Sequence, residues 1–338
     1  MTTYRAFEVT GNRTFRLVDR ELADPAPNQV RLRVQYCGIC HSDVLAVEGL
    51  RAHPEQPIIP GHEIIGAIDA VGPGVTAWHV GQRVGVGFLA GHCGECDPCR
   101  RGDFVNCRNQ QQTGTTTDGG YAEFAYARTS GLVRIPDDLP PAEAAPLLCA
   151  GLTTFTALQQ VGARPGALVA VQGIGGLGHL AVQYARSLGY RVAAIARGTE
   201  KESLARQLGA HHYIDSNGED IADALQHLGG AAAVIATASS GSSMSPLVAG
   251  LAPRGKLMVV GAAPDPIQAQ TAELIFGTRT IQGHLTGTPI ENEDNLAFSA
   301  ANGIKPLIET FPLAEAPKAY EHMLSGRARF RAVLDAAA

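Results

Sequence analysis

The residues best equipped for chemistry sit close together near the start of the chain, in Cys37-Gly-Ile-Cys40-His41-Ser42-Asp43 and Gly61-His62-Glu63. A soluble core does not need that mixture of thiols, imidazoles, hydroxyl and carboxylates, because buried polar groups are costly unless paired or bound to metal. Cys40 and His62 suit two ligands of a zinc ion, with the distant Cys149, in Pro146-Leu-Leu-Cys-Ala-Gly-Leu, as the third. Two thiolates and one neutral imidazole balance the ion's two positive charges and leave a corner open, where an alcohol oxygen loses its proton easily. Taken singly, each residue has a plainer explanation: a small buried thiol at Cys149, a core or surface histidine at His62, a redox dithiol at Cys37 and Cys40. No thioredoxin-like strand–helix–strand pattern surrounds that pair, and Cys37 is read as structural. The combination is what points to a metal.

Neighbouring residues then acquire roles. Asp43 is placed to receive the free N–H of His62, as carboxylates do behind zinc-bound imidazoles. Ser42 can accept a substrate hydroxyl proton and pass it on. Glu63 sits beside a ligand, either as an alternate ligand behind the metal or as the partner of a nearby arginine. A solvated loop carboxylate and a turn serine are the plain alternatives for Asp43 and Ser42.

Cys93, Cys96, Cys99 and Cys107 form a second centre with the spacing C-x2-C-x2-C-x7-C. Four thiolates saturate zinc and leave it closed, so this centre is structural. An iron–sulfur run would carry x3 before its last cysteine and a proline after it, which is not the pattern here. Two zinc ions per chain are therefore expected. Seven cysteines without a secretory segment fit a reducing compartment, where clustered thiols hold metal rather than disulfides.

A nucleotide site is written further along. Gly173-Ile174-Gly175-Gly176-Leu177-Gly178 follows the apolar run Leu168–Val171 and opens a segment with Leu177, Leu180, Ala181, Tyr184, Ala185 and Leu188 at helical spacing. Strand before and helix after make G-x-G-x-x-G a dinucleotide fingerprint rather than a glycine-rich surface turn. Gly173 permits the turn, Gly175 lets a pyrophosphate approach the backbone, and Gly178 packs helix on strand. The next strand, Val192–Ala196, ends in Ala196-Arg197-Gly198, without the acid that holds the ribose of NAD. Arg197 would pair with a 2′-phosphate, so NADP is favoured over NAD, with a solvated loop arginine as the alternative.

These residues need a scaffold. In Gln29–Tyr36, Val30, Leu32, Val34 and Tyr36 alternate with Arg31, Arg33 and Gln35, the period of a half-buried strand. Frequent glycine and proline turns through the first third suggest a β-barrel-like domain. From about Cys149 the apolar runs Leu168–Val171, Val192–Ala196, Ala231–Ala236 and Lys256–Val260 alternate with helical segments such as Glu200–Leu208, which predicts a doubly wound parallel sheet. No internal repeat or low-complexity stretch interrupts the chain. At 338 residues it has length for two domains, and a net charge of -5 argues against nucleic acid or an anionic membrane as partner. No apolar run reaches membrane-spanning length and the first residues lack a signal-peptide order, so the cytoplasm is the expected location.

Cys-Gly-Ile-Cys-His-Ser-Asp, Gly-His-Glu, the four-cysteine loop, Gly151-Leu-Thr-Thr and Gly173–Gly178, in this order, resemble the zinc-dependent alcohol dehydrogenases of the medium-chain dehydrogenase/reductase family. The resemblance spans essentially the whole chain. It implies a GroES-like catalytic domain, residues 1–149 and 286–338, split around a Rossmann domain, residues 150–285, with the active site in the cleft between them. It also implies that Arg331, in the C-terminal Arg-Ala-Val-Leu strand, contacts the cofactor pyrophosphate, and that His41 faces that pyrophosphate or serves the proton relay. Cys149 in place of a glutamate, with the four-cysteine loop retained, points to a primary alcohol and its aldehyde rather than a polyol. The short chain is similar to tetrameric microbial enzymes more than to dimeric ones. Leu45 stands where many relatives carry the relay histidine, so the relay must end at Ser42 and the ribose, reach water otherwise, or borrow His41. Leu45, Leu50 and Leu285 are candidates for the substrate pocket. The expected activity is hydride transfer between NAD(P)(H) and an alcohol or aldehyde. The alternatives are a polyol or secondary-alcohol dehydrogenase of the same fold and a non-catalytic, redox-sensing NADP-binding protein with structural zinc.

Overall fold

The computed structural model describes residues 2–338. The chain forms two compact units, Met1–Leu152 with Gly287–Ala338, and Thr153–Thr286.

The first unit is built on a seven-stranded sheet in the order Ile308–Pro312, Arg331–Asp335, Gln29–Gly38, Glu63–Val71, Arg83–Val86, Leu132–Arg134, with Phe124–Arg128 pairing off Gln29–Gly38. Its strand pairs are antiparallel except Ile308–Pro312 with Arg331–Asp335. The alternation in Gln29–Gly38 does its expected work: Val30, Leu32 and Val34 are buried, while Arg33 is exposed and Arg31 reaches Asp69 at 2.6 Å. It fails at Tyr36, which is only half-buried, and Cys37 and Gly38 are then both buried. An irregularity in the pairing with Glu63–Val71 lies between Val34 and Tyr36, so the strand leaves its simple two-faced geometry as it enters the site. The core joins Val30, Leu32, Ile64, Ile68, Val84 and Tyr121 with residues of the C-terminal tail such as Leu313, Tyr320 and Leu334.

The second unit carries a six-stranded, wholly parallel sheet in the order His212–Asp215, Arg191–Ala196, Leu168–Gln172, Ala231–Ala236, Leu251–Val259, Thr280–Gly283. All five residues of Leu168–Gln172 are buried, as expected of a central strand covered on both faces. The order steps outward from Leu168–Gln172 in both directions, and the glycine loop follows that strand, so the loop stands where the winding reverses, the usual place for a nucleotide in open parallel sheets. The helix Gly178–Ser187 begins at the last glycine of the loop. Among the described residues no helix is long and apolar enough to cross a membrane.

Candidate functional site

Four ligand-bearing side chains converge in the first unit. One donor atom each from Cys40, His62, Glu63 and Cys149 can be chosen so that all lie within 4.8 Å of one another. Cys40 precedes the single turn His41–Asp43 that closes strand Gln29–Gly38. His62 and Glu63 follow Gly61, whose φ of +97° makes the sharp entry into strand Glu63–Val71. Cys149 comes from a π-helical turn, Leu147–Gly151, between the helices Pro141–Pro146 and Leu152–Gln159. Such wide turns free backbone carbonyls, which need other donors. Asn292 and Asn295, both buried on the helix Pro289–Asn302, donate to the carbonyls of Leu148 and Leu147 at 3.0 Å each.

The donor set fits zinc. The Cys40 and Cys149 sulfurs are 3.9 Å apart, too far for a disulfide and close to the ~3.8 Å that two thiolates at about 2.3 Å from a tetrahedral zinc would show. His62 is 1% exposed and its Nε2 is buried without a partner among the described residues, an orphan a metal would satisfy. Its other nitrogen, Nδ1, lies 2.9 Å from Asp43 Oδ1. The second oxygen of Asp43 accepts from the Cys40 N–H and the Tyr121 hydroxyl, each at 2.9 Å. Glu63 is fully buried; its Oε1 meets Arg331 at 2.5 Å, and its Oε2 has no partner among the described residues.

The electrostatics follow. The Cys40 thiol is pulled well below its usual range, chiefly by the hydrogen bond from Cys149, with His62 and Arg331 assisting against burial. Cys149 is pushed up by the same bond and by burial. Burial would lower His62, but the charges of Asp43 and Cys40 outweigh it and raise it. Burial pushes the Glu63 carboxyl up, to about 8, against the pull of Arg331.

Of the remaining first-unit candidates, Ser42 is half-buried and His41 exposed in the turn after Cys40, and Leu45 is half-buried just beyond. Leu50 is exposed. Arg331, expected to face a pyrophosphate, is 4% exposed and committed to Glu63, with its Nε unpartnered among the described residues. Cys37 is buried outside the ligand cluster. Cys93, Cys96, Cys99 and Cys107 form the other cluster, with Cys107 Sγ 3.6 Å from Cys93 Sγ and 4.0 Å from Cys96 Sγ. All seven cysteines are free of disulfides.

In the second unit the three glycines of the fingerprint separate by what a side chain would meet. A Cβ at Gly178 would lie 1.7 Å from the Gly173 carbonyl oxygen, and one at Gly173, where φ is +86°, 2.7 Å from Thr237 Oγ1. A Cβ at Gly175 would meet no atom within 4 Å. Glycine is thus needed at the first two for the chain itself, whereas at Gly175 it leaves open space of the kind a phosphate requires. Ile174 is buried and its carbonyl accepts from Lys201 Nζ at 2.8 Å. Gly176 and Leu177 complete the loop, Ala196 ends the next strand, and Arg197 beyond it is exposed. Leu285 is exposed after the edge strand.

Sequence reasoning missed Tyr121, Asn292, Asn295 and Lys201. Helix Pro289–Asn302 was signalled by the capping box Thr288 and Glu291, Pro289 at its first position and Gly303 at its end. Nothing in the sequence says that its asparagines reach the Cys149 turn.

The fold and these two clusters define a zinc-binding, nucleotide-dependent dehydrogenase, and comparison with known proteins agrees. Residues 26–137 match the family described as "Alcohol dehydrogenase GroES-like domain", and residues 176–301 match "Zinc-binding dehydrogenase". An alcohol dehydrogenase, notN, of Aspergillus sp. (strain MF297-2) is 45% identical over 94% of this chain and 93% of its own length. A cinnamyl alcohol dehydrogenase from Sorghum bicolor superposes with a TM-score of 0.90 at 30% identity, covering 99% of this chain and 98% of its own. CAD from Helicobacter pylori, solved in complex with NADP(H), gives 0.85 at 27% identity, covering 99% and 98%. The chain belongs to the zinc-type alcohol dehydrogenases of the medium-chain dehydrogenase/reductase family, with their GroES-like and Rossmann-type domains. It is a zinc-dependent oxidoreductase that moves hydride between NAD(P)(H) and an alcohol or aldehyde. The polyol and non-enzyme alternatives are not favoured.

Proposed function

We propose that this chain interconverts a primary alcohol and its aldehyde with NADP(H), at a zinc held by Cys40, His62 and Cys149, with a second, structural zinc on Cys93, Cys96, Cys99 and Cys107. The observation that carries the reading is the buried Nε2 of His62, unpartnered among the described residues and clustered with two sulfurs 3.9 Å apart. When bound, zinc supplies Lewis acidity toward the substrate oxygen. The chain's own residues do the rest. Asp43 fixes the imidazole through Nδ1, which directs Nε2 at the metal. Ser42, half-buried two residues after a ligand, takes the hydroxyl proton; with Leu45 where a further histidine would relay it, the route outward runs through the cofactor ribose or His41. Arg331 and His41 are assigned to the pyrophosphate, the open cradle at Gly175 to its phosphates, and the loop Gly173–Gly178 with Ala196 to the nucleotide.

Arg197 supports NADP over NAD: it is exposed at the end of its strand, and a guanidinium pairs with a 2′-phosphate as no neutral residue would. A homo-oligomer, a tetramer by resemblance, is supported by the exposed edge strand Thr280–Gly283 and the neighbouring Ile275 and Phe276, 71% and 89% exposed. Seven free cysteines support a cytoplasmic location.

The test is NADPH consumption against a panel of primary aldehydes, ketones and polyol-derived ketoses, with metal analysis of the same preparation. Two zinc ions per chain, preference for aldehydes, and a collapse of the NADP-over-NAD kcat/KM ratio in Arg197→Ala are expected. One zinc per chain with no turnover of any carbonyl substrate would sink the assignment.

A further inference from the structure

The ligand set alone does not explain what delivers His62 to the cluster. The chain enters through Ile59–Gly61, and that segment is gripped along its length by Asp118–Tyr121. Asp118 Oδ1 accepts the Ile59 N–H at 3.0 Å. Gly119 donates its N–H to the Ile59 carbonyl at 2.7 Å, Gly120 to Gly61 at 3.0 Å, and Tyr121 to Pro60 at 3.0 Å. The fit is tight enough to need glycines: a Cβ at Gly119 would lie 2.1 Å from the Gly61 oxygen, and one at Gly61 2.4 Å from Tyr121 Cδ1. The Tyr121 ring, fully buried, therefore lies against the residue that precedes His62. The hydroxyl of the same ring donates to Asp43 Oδ2 at 2.9 Å, while Asp43 Oδ1 takes His62 Nδ1 at 2.9 Å.

We propose that Tyr121 is a positioning residue of the metal centre, holding His62 from two sides: its ring fixes the backbone at Gly61, and its hydroxyl fixes the imidazole through Asp43. With Cys40 N–H and Tyr121 OH both on Oδ2, the carboxylate cannot rotate without losing two bonds, and Oδ1 stays on His62 Nδ1. Nε2 then points at the ligand cluster. Phenylalanine would fill the same space and keep the Gly61 contact, so Tyr121→Phe removes the acid link alone. The inference rests on the reading of Cys40, His62 and Cys149 as a zinc site.

Zinc-loaded wild type, Tyr121→Phe, Asp43→Asn and the double variant would be mixed with a chromogenic chelator, with the four-cysteine zinc as internal control. The cobalt-substituted proteins would be compared by visible absorption. Tyr121→Phe is expected to release the Cys40 site's metal about tenfold faster, the low end for losing a residue behind a metal ligand, and to shift the cobalt bands. In the Asp43→Asn background the same change is expected to add less than about twofold, because the two act as one unit. Release at the wild-type rate with an unchanged cobalt spectrum overturns the proposal, and so does equal acceleration in both backgrounds. A Tyr121→Phe protein that leaks both metals together, with a lowered Tm, makes Tyr121 a packing residue and overturns it too. A wild-type chain that takes no cobalt at Cys40 overturns the zinc reading first, and this inference with it.

Discussion

Arg331→Met strips the cation from a buried pair and leaves the Glu63 carboxyl without its hydrogen-bond donor. Glu63 is fully buried and Arg331 is 4% exposed, so solvent screens neither group. With its carboxyl raised to about 8 by burial, Glu63 is largely protonated at pH 7, so the substitution strands a buried polar group rather than a bare charge, at about 1–3 kcal/mol. In a unit of about 200 residues each kcal/mol lowers Tm by about 2–4 °C, so the variant should melt about 2–12 °C below wild type. Replacing both partners with apolar residues, Glu63→Leu with Arg331→Met, should recover a substantial part of that loss, since no buried polar group is then stranded. The assay is calorimetric melting of the zinc-loaded protein, with cofactor affinity measured by fluorescence on the same samples. A residue that served the pyrophosphate alone would weaken cofactor binding and leave Tm within about 1 °C of wild type. That outcome would refute the account of Arg331 as the buried partner of Glu63.

The glycine loop makes a paired prediction. Gly175→Ala should fold with Tm near wild type, because its Cβ meets nothing, yet bind NADP at least about tenfold more weakly; Gly178→Ala, with a Cβ 1.7 Å from a carbonyl oxygen, should lose several degrees of Tm before any cofactor is added. Prolonged chelation should expose residues 91–108 to protease, because the short helix Asp97–Arg100 cannot order that loop without its metal; wild-type resistance to cleavage in the fully stripped protein would contradict a structural centre. Asp265 is held low, at about 2, by the N–H groups of Ser242 and Gly241. A depressed carboxyl contributes stability above its unfolded value near 3.9 and loses it as pH falls toward the folded one. The Tm gap between wild type and Asp265→Asn should therefore be constant above about pH 5 and shrink below pH 4.

Much of this was legible because it is local. Leu168–Val171 and Ala231–Ala236 announce buried parallel strands by unbroken apolar runs, and the glycine fingerprint follows the first of them closely. Gln29–Gly38 could be read until Tyr36, where alternation gives way to an irregular pairing that no local pattern marks. The tighter spacings of the site come from different parts of the chain and carry no signature. Gly38 is glycine because Glu63 Oε2 occupies the place of its Cβ, 1.9 Å away. Asn292 and Asn295 look like ordinary polar helix residues until the carbonyls of Leu147 and Leu148 are seen to need donors. Tyr121 reads as a core aromatic, and only the third dimension puts its hydroxyl on Asp43.

The two cysteine-bearing centres differ in one respect that bears on chemistry. In the loop, donor atoms of Cys93, Cys96, Cys99 and Cys107 all lie within 4.8 Å of one another, and four thiolates would close a tetrahedron round a zinc ion. At the other centre four donors also converge, but the fourth is Glu63, and Arg331 holds one of its oxygens at 2.5 Å. A carboxyl with one oxygen engaged by a guanidinium is a weaker ligand than a free one. Two soft sulfurs and an imidazole nitrogen select zinc over magnesium or calcium, which prefer oxygen. If zinc is held by Cys40, His62 and Cys149, the arginine does more than stabilise the unit: by engaging Glu63 it would favour three protein ligands over four. A zinc so held would keep a position open for an alcohol oxygen, where it would supply Lewis acidity.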